Sequence, residues 1–113
     1  MKLSIPIKAL SINKAFRGRH YKTKECKDYE NDLWKLLPKK EKILGRVEIH
    51  YKFYLKNHQR TDIDNLVKVT QDILVAKGYI EDDRKIYKAV VEKIPSETDS
   101  IEVEILTYPP KDT

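Results

Sequence analysis

The sequence predicts an α+β fold, with a small mixed β-sheet of about four strands and two main helices in the order β-α-β-α-β-β. Its 113 residues fit one domain, so we treat 1–113 as a single unit in which 109–113 form a tail that is not expected to pack. Two segments have apolar residues at every third or fourth position, which is typical of helices. The segments predicted as strands alternate apolar with polar residues. Two helices cannot cover both faces of such a sheet, which leaves surface for a partner subunit.

The first strand is predicted over residues 2–10, where Pro6 indicates an edge position or a bend. Residues 11–22 follow as a loop in which basic side chains accompany Phe16 and Tyr21. This mixture is typical of a loop that grips phosphates and stacks an aromatic ring on a base.

The first helix is predicted from about residue 24 to residue 37, because Thr23 is a suitable N-cap and Pro38 ends the pattern. Its apolar positions recur at helical spacing and mark the face expected to be buried: Cys26, Tyr29, Leu33, Leu36 and Leu37. Trp34 is assigned to the core as well.

A strand that follows Gly45 has the clearest alternation in the chain, with one core face and one partly solvated face. The core face comprises Val47, Ile49, Tyr51, Phe53 and Leu55, and the other comprises Glu48, His50, Lys52, Tyr54 and Lys56.

The second half of the chain is predicted to contain a helix and two strands. A loop over 57–61 leads to a helix from Asp62 or Ile63 to Lys77, which Gly78 ends. Residues 85–94 and 100–107 have the alternation of strands.

Charge is distributed unevenly along the chain. Residues 1–60 carry 16 Lys and Arg against 6 Asp and Glu, whereas residues 61–113 carry 7 against 12. A metal-dependent enzyme that acts on nucleic acid needs both a basic and an acidic region. Its Lys and Arg side chains neutralise phosphates, and its carboxylates hold the metal ion. A protein with solvated charged faces explains the same distribution equally well.

Cys26 is the only cysteine, which excludes an intrachain disulfide and a cysteine-based zinc site. The longest apolar run, Ile73 to Ala76, is far shorter than the ~20 residues that span a bilayer. The first residues lack the apolar core of a signal peptide. We therefore expect an intracellular, cytoplasmic protein that is not associated with a membrane.

Acidic side chains cluster at both ends of the second helix. On a helical wheel, Asp64, Lys68 and Asp72 share one flank, opposite an aliphatic flank. Each has an ordinary structural explanation: Asp62 as a helix cap, Asp64 and Lys68 as a surface ion pair, and the acidic run at 81–83 as a solvated turn. Spacing alone does not show whether the two acidic groups meet.

The same residues resemble the signature of the RusA family of Holliday-junction resolvases. Residues 60–68 read Arg-Thr-Asp-Ile-Asp-Asn-Leu-Val-Lys, Asp72 follows, and residues 77–83 read Lys-Gly-Tyr-Ile-Glu-Asp-Asp. The resemblance extends outward to a Ser-x-Asn loop at 11–13 and to strands on both sides, so it covers nearly the whole chain.

The resemblance implies that Asp62, Asp64 and Asp83 ligate a divalent metal and that Lys68 is the basic residue beside them. The cofactor is then Mg²⁺, for which Mn²⁺ substitutes, and no small-molecule cofactor is expected. Asn65, Asp72 and Asp82 take supporting positions around this catalytic set. Basic residues that would contact DNA are Lys14, Arg17, Arg19, Lys22 and Arg60.

The function implied is that of a homodimeric endodeoxyribonuclease, encoded by a bacterium or a phage, that binds four-way DNA junctions and resolves them by paired symmetric cuts in recombination and repair. Two alternatives stay open. One is a non-catalytic module that binds nucleic acid or a partner through its acidic patch. The other is a nuclease whose substrates are flaps, forks or RNA.

Overall fold

The computed structural model describes residues 1–11, 16–17 and 21–110. Three short 3-10 helices, His58–Arg60, Ile63–Leu66 and Asp83–Lys85, accompany the main elements. These elements are β1 (Lys2–Ile5), β2 (Phe16–Arg17), β3 (Tyr21–Lys22), α1 (Lys24–Leu36), β4 (Val47–Leu55), α2 (Val67–Ala76), β5 (Ile86–Pro95) and β6 (Ser100–Thr107).

The main sheet has four strands in the order β1-β6-β4-β5. β4 and β5 run parallel and are joined by a crossover through α2, while β6 pairs antiparallel with both β4 and β1. β2 and β3 form a separate two-stranded hairpin. The predicted α+β class, with a four-stranded mixed sheet and two helices, is confirmed.

The core lies between one face of the sheet and the two helices. All five residues predicted for the core face of β4 are buried, as are Ile101, Val103 and Ile105 of β6. The two helices contact each other through the Tyr29 hydroxyl and the Thr70 hydroxyl, which are 2.8 Å apart and buried. Burial raises the pKa of Tyr29 to about 12, so this contact stays between neutral groups at physiological pH.

α1 begins as predicted, because the Thr23 hydroxyl accepts a hydrogen bond from the backbone N–H of Cys26 at 3.2 Å. Its buried face is narrower than predicted. Leu36 and Trp34 are each 44% exposed, so their assignment to the core was wrong. Helix packing buries one stripe only, and Trp34 instead lies under the ammonium group of Lys77, 5.1 Å from its ring centre.

Three predicted segments differ in detail. β1 ends before Pro6, which cannot donate to the sheet, so residues 6–10 are not part of the strand. The helix expected from residue 62 starts as the 3-10 turn Ile63–Leu66 and becomes α-helical only at Val67. Asp and Asn disfavour the α-helix interior, which explains this tighter start. The loop predicted over 11–22 contains the β2–β3 hairpin.

No helix within the described part of the chain covers the opposite face of the sheet. A depression of about 500 Å³ on this face is lined by Lys2, His50, Lys52, Glu102 and Glu104 among others. Glu48 is buried beside it, with its carboxylate 2.5 Å from His50 Nε2 and 3.9 Å from Lys88 Nζ. The predicted alternation of β4 is therefore confirmed, with a charged outer face.

No helix within the described ranges is both long enough and apolar enough to cross a membrane.

Replacing Tyr29 by Phe removes the hydroxyl that joins α1 to α2. We expect the free energy of unfolding to fall by about 1 kcal/mol, the usual net contribution of one buried hydrogen bond. Urea denaturation followed by circular dichroism measures it. The control is Tyr87→Phe, which removes an exposed hydroxyl and should leave the unfolding free energy within about 0.5 kcal/mol. Equal losses in the two variants would contradict the structural role of Tyr29.

Candidate nucleic-acid and metal site

A groove opens beside the end of β4 where the chain leaves the sheet. It encloses about 510 Å³, and its lining includes Asp62, Asn65, Lys8 and Arg60. Lys8 and Arg60 supply positive charge next to the carboxylate of Asp62. The acids Glu25 and Asp99 also line the groove, so its walls carry both signs of charge.

The entrance to this groove is fixed by backbone contacts. The Lys93 ammonium group donates to the carbonyl oxygen of Thr61 at 2.8 Å, which ties the residue before Asp62 to β5. The backbone N–H of Asn65 donates to the carbonyl oxygen of Asp62 at 3.2 Å, and the fully buried Leu66 anchors the same turn in the core. The position of Asp62 is thus fixed through the backbone, and its side chain takes no part in these contacts.

Asp62 and Asp64 are both exposed, and neither has the structural role that its position allows. Asp62 occupies the N-cap position of the 3-10 helix, but its side chain makes no capping hydrogen bond. Asp64 precedes Lys68 by four residues, yet the Lys68 ammonium group pairs with Asp72 at 2.8 Å instead. Among the described residues, neither Asp62 nor Asp64 forms an ion pair. The two carboxylates are therefore available to a ligand.

Lys68 and Asp72 form an ion pair on one flank of α2. The side chains of this pair remain 52% and 38% exposed, so solvent screens their attraction. The hydroxyl of Tyr51 donates to Gln71 at 3.0 Å on the neighbouring turn. Burial raises the pKa of Tyr51, and the charges of Asp83 and Asp72 raise it further. Asp83 and Asp72 thus act on the same hydroxyl.

Asp83 is the first residue of the 3-10 helix that precedes β5, and its side chain is exposed. Asp82 caps this helix by accepting from the backbone N–H of Arg84 at 2.9 Å, and it also lies 3.3 Å from the Arg84 guanidinium. The backbone hydrogen bond, followed by the guanidinium, lowers the pKa of Asp82. Glu81 accepts a hydrogen bond from the backbone N–H of Gly45. Asp82 and Glu81 thus hold the turn, while Asp83 has no ion-pair partner among the described residues.

The fold places the acidic residues at different ends of the parallel strand pair. Asp62 and Asp64 follow the carboxyl end of β4, whereas Asp83 precedes the amino end of β5. Within the described part of one chain, no group of three or more His, Cys, Asp or Glu side chains is placed to hold a metal ion.

The chemistry of the residues nevertheless suits magnesium. Mg²⁺ takes oxygen ligands, retains several waters, and is commonly held by one or two carboxylates together with phosphate oxygens of the substrate. Asp62 and Asp64 supply two exposed carboxylates whose positions in the chain are separated by one residue. A further carboxylate or a phosphate is required to complete the ligand set.

The predicted DNA-contacting residues are only partly described. Lys14 and Arg19 lie outside the described residues, and Arg17 belongs to β2. Lys22 is exposed and pairs with Glu30 at 3.0 Å. That hydrogen bond raises the pKa of Lys22. Arg60 lines the groove beside Asp62.

The sequence patterns did not identify three residues that contribute to the groove and its surroundings: Lys8, Lys93 and Tyr51. Lys8 reaches the groove from the segment after β1, and Lys93 reaches the backbone of the groove from β5. Tyr51 was assigned to the core, and its hydroxyl is also directed to α2. None of these contacts has a local signature, because each joins residues at least 20 positions apart.

The described residues thus form a small α+β domain in which the exposed carboxylates of Asp62 and Asp64 lie near a groove lined by Lys8 and Arg60. A model of the family described as endodeoxyribonuclease RusA matches residues 8–106. The match covers the whole site and most of the chain, and the chain therefore belongs to the RusA endodeoxyribonuclease family. A search of curated proteins finds no match to this chain.

Replacing Asp62 or Asp64 by Asn should leave the fold intact. Because neither side chain caps a helix or forms an ion pair among the described residues, we expect each variant to change the unfolding free energy by less than about 0.5 kcal/mol. Urea denaturation of both variants measures this. A loss above about 1 kcal/mol in either variant would show that the aspartate stabilises the fold.

Proposed function

We propose that the protein is a Mg²⁺-dependent, structure-selective endodeoxyribonuclease that resolves four-way DNA junctions in recombination and repair. Membership of the family provides the nuclease activity on DNA. The junction substrate, the metal and the homodimer are parts of the proposal. Two opposed cuts are needed to resolve a junction, and a dimer supplies the two active sites that make them.

The proposal rests on the side chains of Asp62 and Asp64, which are exposed and form neither a helix cap nor an ion pair among the described residues. Exposed carboxylates that neither cap nor pair are poorly explained by stability, since both positions offered an ordinary structural role. They are well explained by a ligand that needs hard oxygen donors. Lys8 and Arg60 at the same groove suit the phosphate backbone that would bring the remaining oxygen donors.

The proposed metal ligands are Asp62, Asp64 and Asp83, with Mg²⁺ as the ion and Mn²⁺ as a substitute. When bound, such an ion supplies Lewis acidity at the phosphoryl group and lowers the pKa of a bound water. The protein contributes a fixed backbone at Asp62 and a capped turn at Asp83. These supports keep the carboxylates in position without using their oxygens.

Lys68 is proposed to act on the phosphate rather than on the fold. Its ammonium group is half exposed and pairs with Asp72, which holds it on the flank of α2 next to Asp64. A compact positive charge in this place would attract the scissile phosphate and offset negative charge that develops during cleavage. Asp72 then orients Lys68, and Asn65 lies in the groove beside Asp62.

The groove does not by itself measure the shape of a four-way junction. Flaps, forks and RNA are therefore compared directly with the junction, and a non-catalytic binding module is the outcome if none of them is cut. As a DNA-processing enzyme of bacterial or phage origin, the protein is proposed to act in the cytoplasm.

Asp62→Asn and Asp83→Asn should each reduce junction cleavage by a factor of about 100 or more, because each removes a proposed metal ligand. Cleavage of a labelled four-way junction, a flap, a fork and a linear duplex is measured with and without Mg²⁺, and binding is measured by gel shift. Junction binding should persist in both variants. Asp32→Asn, an exposed position on α1, is the control with the same charge change and should cleave normally. Normal cleavage by Asp62→Asn would refute the proposed metal site.

Lys68→Ala should reduce turnover by about 100-fold, the usual cost of removing one charge-stabilising group. Its effect on stability should stay below about 0.5 kcal/mol, because the pair with Asp72 is exposed. Single-turnover cleavage and thermal melting measure the two effects. Lys52→Ala removes an exposed lysine from the opposite face of the sheet and should be silent in both assays. Normal turnover with a large fall in Tm would make Lys68 a structural residue.

A further inference from the structure

The two helices α1 and α2 end side by side. Tyr29 of α1 contacts Thr70 of α2, and two turns later the Lys77 ammonium group donates to the carbonyl oxygen of Leu37 at 2.8 Å. The helices therefore run in the same direction, and both stop where the chain turns towards the start of β4. Asp83 precedes β5 at this same end of the sheet.

Lysines are concentrated at this end of the helices. Residues 35–42 carry four lysines and a single acid, Glu41. These four side chains are exposed, and none of them forms an ion pair with another described residue. Together with Lys77 they make up a surface that we call the lysine patch: Lys35, Lys39, Lys40, Lys42 and Lys77.

The segment that carries the lysine patch is tied to the fold at both ends. The hydroxyl of Tyr79 donates to the carbonyl oxygen of Pro38, and the backbone N–H of Ile43 donates to the carbonyl oxygen of Tyr79 at 3.0 Å. A Cβ placed on Gly78 would lie 3.8 Å from Lys42 Cε, so the Lys42 side chain extends along the end of α2. Because the segment is already fixed, a ligand loses less binding energy in ordering it.

The stability of α1 does not account for so many lysines. A cation near the C-terminus of a helix binds its free carbonyl groups and complements its dipole. Lys77 already makes these contacts, because its ammonium group donates to the carbonyl oxygens of both Trp34 and Leu37. The other four lysines add positive charges that repel one another, and a bound polyanion relieves this repulsion.

We propose that the lysine patch binds the phosphate backbone of duplex DNA, as a second contact with the substrate that is separate from the groove at Asp62. The proposal rests on the proposed function, because it assigns one duplex arm of a branched DNA to this surface. Phosphate contacts of this kind supply affinity and orientation without reading the base sequence.

The distance between the lysine patch and the groove suits a single duplex arm. Asp62 precedes the 3-10 turn Ile63–Leu66, and Lys77 follows the ten residues of α2. With a rise of about 2 Å per residue in the 3-10 turn and about 1.5 Å per residue in α2, the two segments together span about 23 Å. This length corresponds to about seven base pairs of B-DNA at about 3.4 Å each. A duplex that enters the groove can therefore reach the lysine patch within one helical turn.

The first test uses Trp34 as a reporter of this surface. Trp34 is the only tryptophan in the chain, its side chain is 44% exposed, and its ring centre lies 5.1 Å from Lys77 Nζ. DNA bound at the lysine patch should shield the ring from a neutral quencher. We expect a linear duplex of about 20 base pairs, two helical turns, to lower the Stern–Volmer constant for quenching of Trp34 by acrylamide. Vesicles of phosphatidylserine, which carry phosphate on a membrane surface, should not lower it.

The second test removes two charges from the lysine patch with the double variant Lys39→Ala/Lys40→Ala. Binding to the linear duplex and to a four-way junction is measured by fluorescence anisotropy of labelled DNA, without Mg²⁺ and over a series of salt concentrations. Each lost phosphate contact should make the slope of log K against log salt concentration shallower by about 1, and the double variant should therefore lose about 2. Lys2→Ala/Lys52→Ala is the control, because it removes the same charge from the opposite face of the sheet. It should keep the slope of the unmodified protein, and circular dichroism verifies that both variants fold.

The proposal is overturned if the two double variants have the same slope, if the duplex leaves the quenching of Trp34 unchanged, or if the vesicles protect Trp34 as well as the duplex does. Junction cleavage by the unmodified protein is assayed in parallel with Mg²⁺. Cleavage of the junction together with an unchanged slope in Lys39→Ala/Lys40→Ala would retain the nuclease and reject the lysine patch. A shallower slope in that variant, with no DNA cut by the unmodified protein, would retain the lysine patch and reject the proposed function.

Discussion

The parallel pairing of β4 with β5 determines where Asp62, Asp64, Lys68 and Asp83 lie. Parallel neighbours require a crossover, and α2 supplies it by returning the chain from one end of the sheet to the other. Residues before α2 and residues after it are consequently attached to opposite ends of the strand pair. The acidic residues that are close in sequence are separated by this topology.

Neighbouring carboxylates of this region differ in whether they make structural contacts. Asp82 caps a turn, Asp72 holds Lys68, and Glu81 binds the backbone at Gly45. Asp62, Asp64 and Asp83 are left without such partners among the described residues. A carboxylate already used by the fold is a poor metal ligand, because binding would break the contact that it makes. This difference in structural contacts is the reason why Asp62, Asp64 and Asp83 are the proposed metal ligands.

The fold was largely predictable because its periodic segments are strong. The alternation of β4 identified its buried face, and Thr23 and Pro38 bracketed α1 closely. The sequence was less informative where tertiary contacts decide. The exposure of Leu36 depends on how α1 lies on the sheet, and the contribution of Lys93 depends on its reach to Thr61. For the candidate site, the motif predicts the aspartates, but the crossover that places Asp83 and Asp62 at opposite ends of the strand pair is a property of the whole sheet.

The two edges of the main sheet differ in how readily each could pair with a further strand. β1, at the edge opposite β5, has only four residues and is followed directly by Pro6. Proline cannot donate to a further strand, and a short edge offers few hydrogen bonds, so this side is a poor template. Among the described residues, a further strand could therefore extend this sheet beside β5 more readily than beside β1.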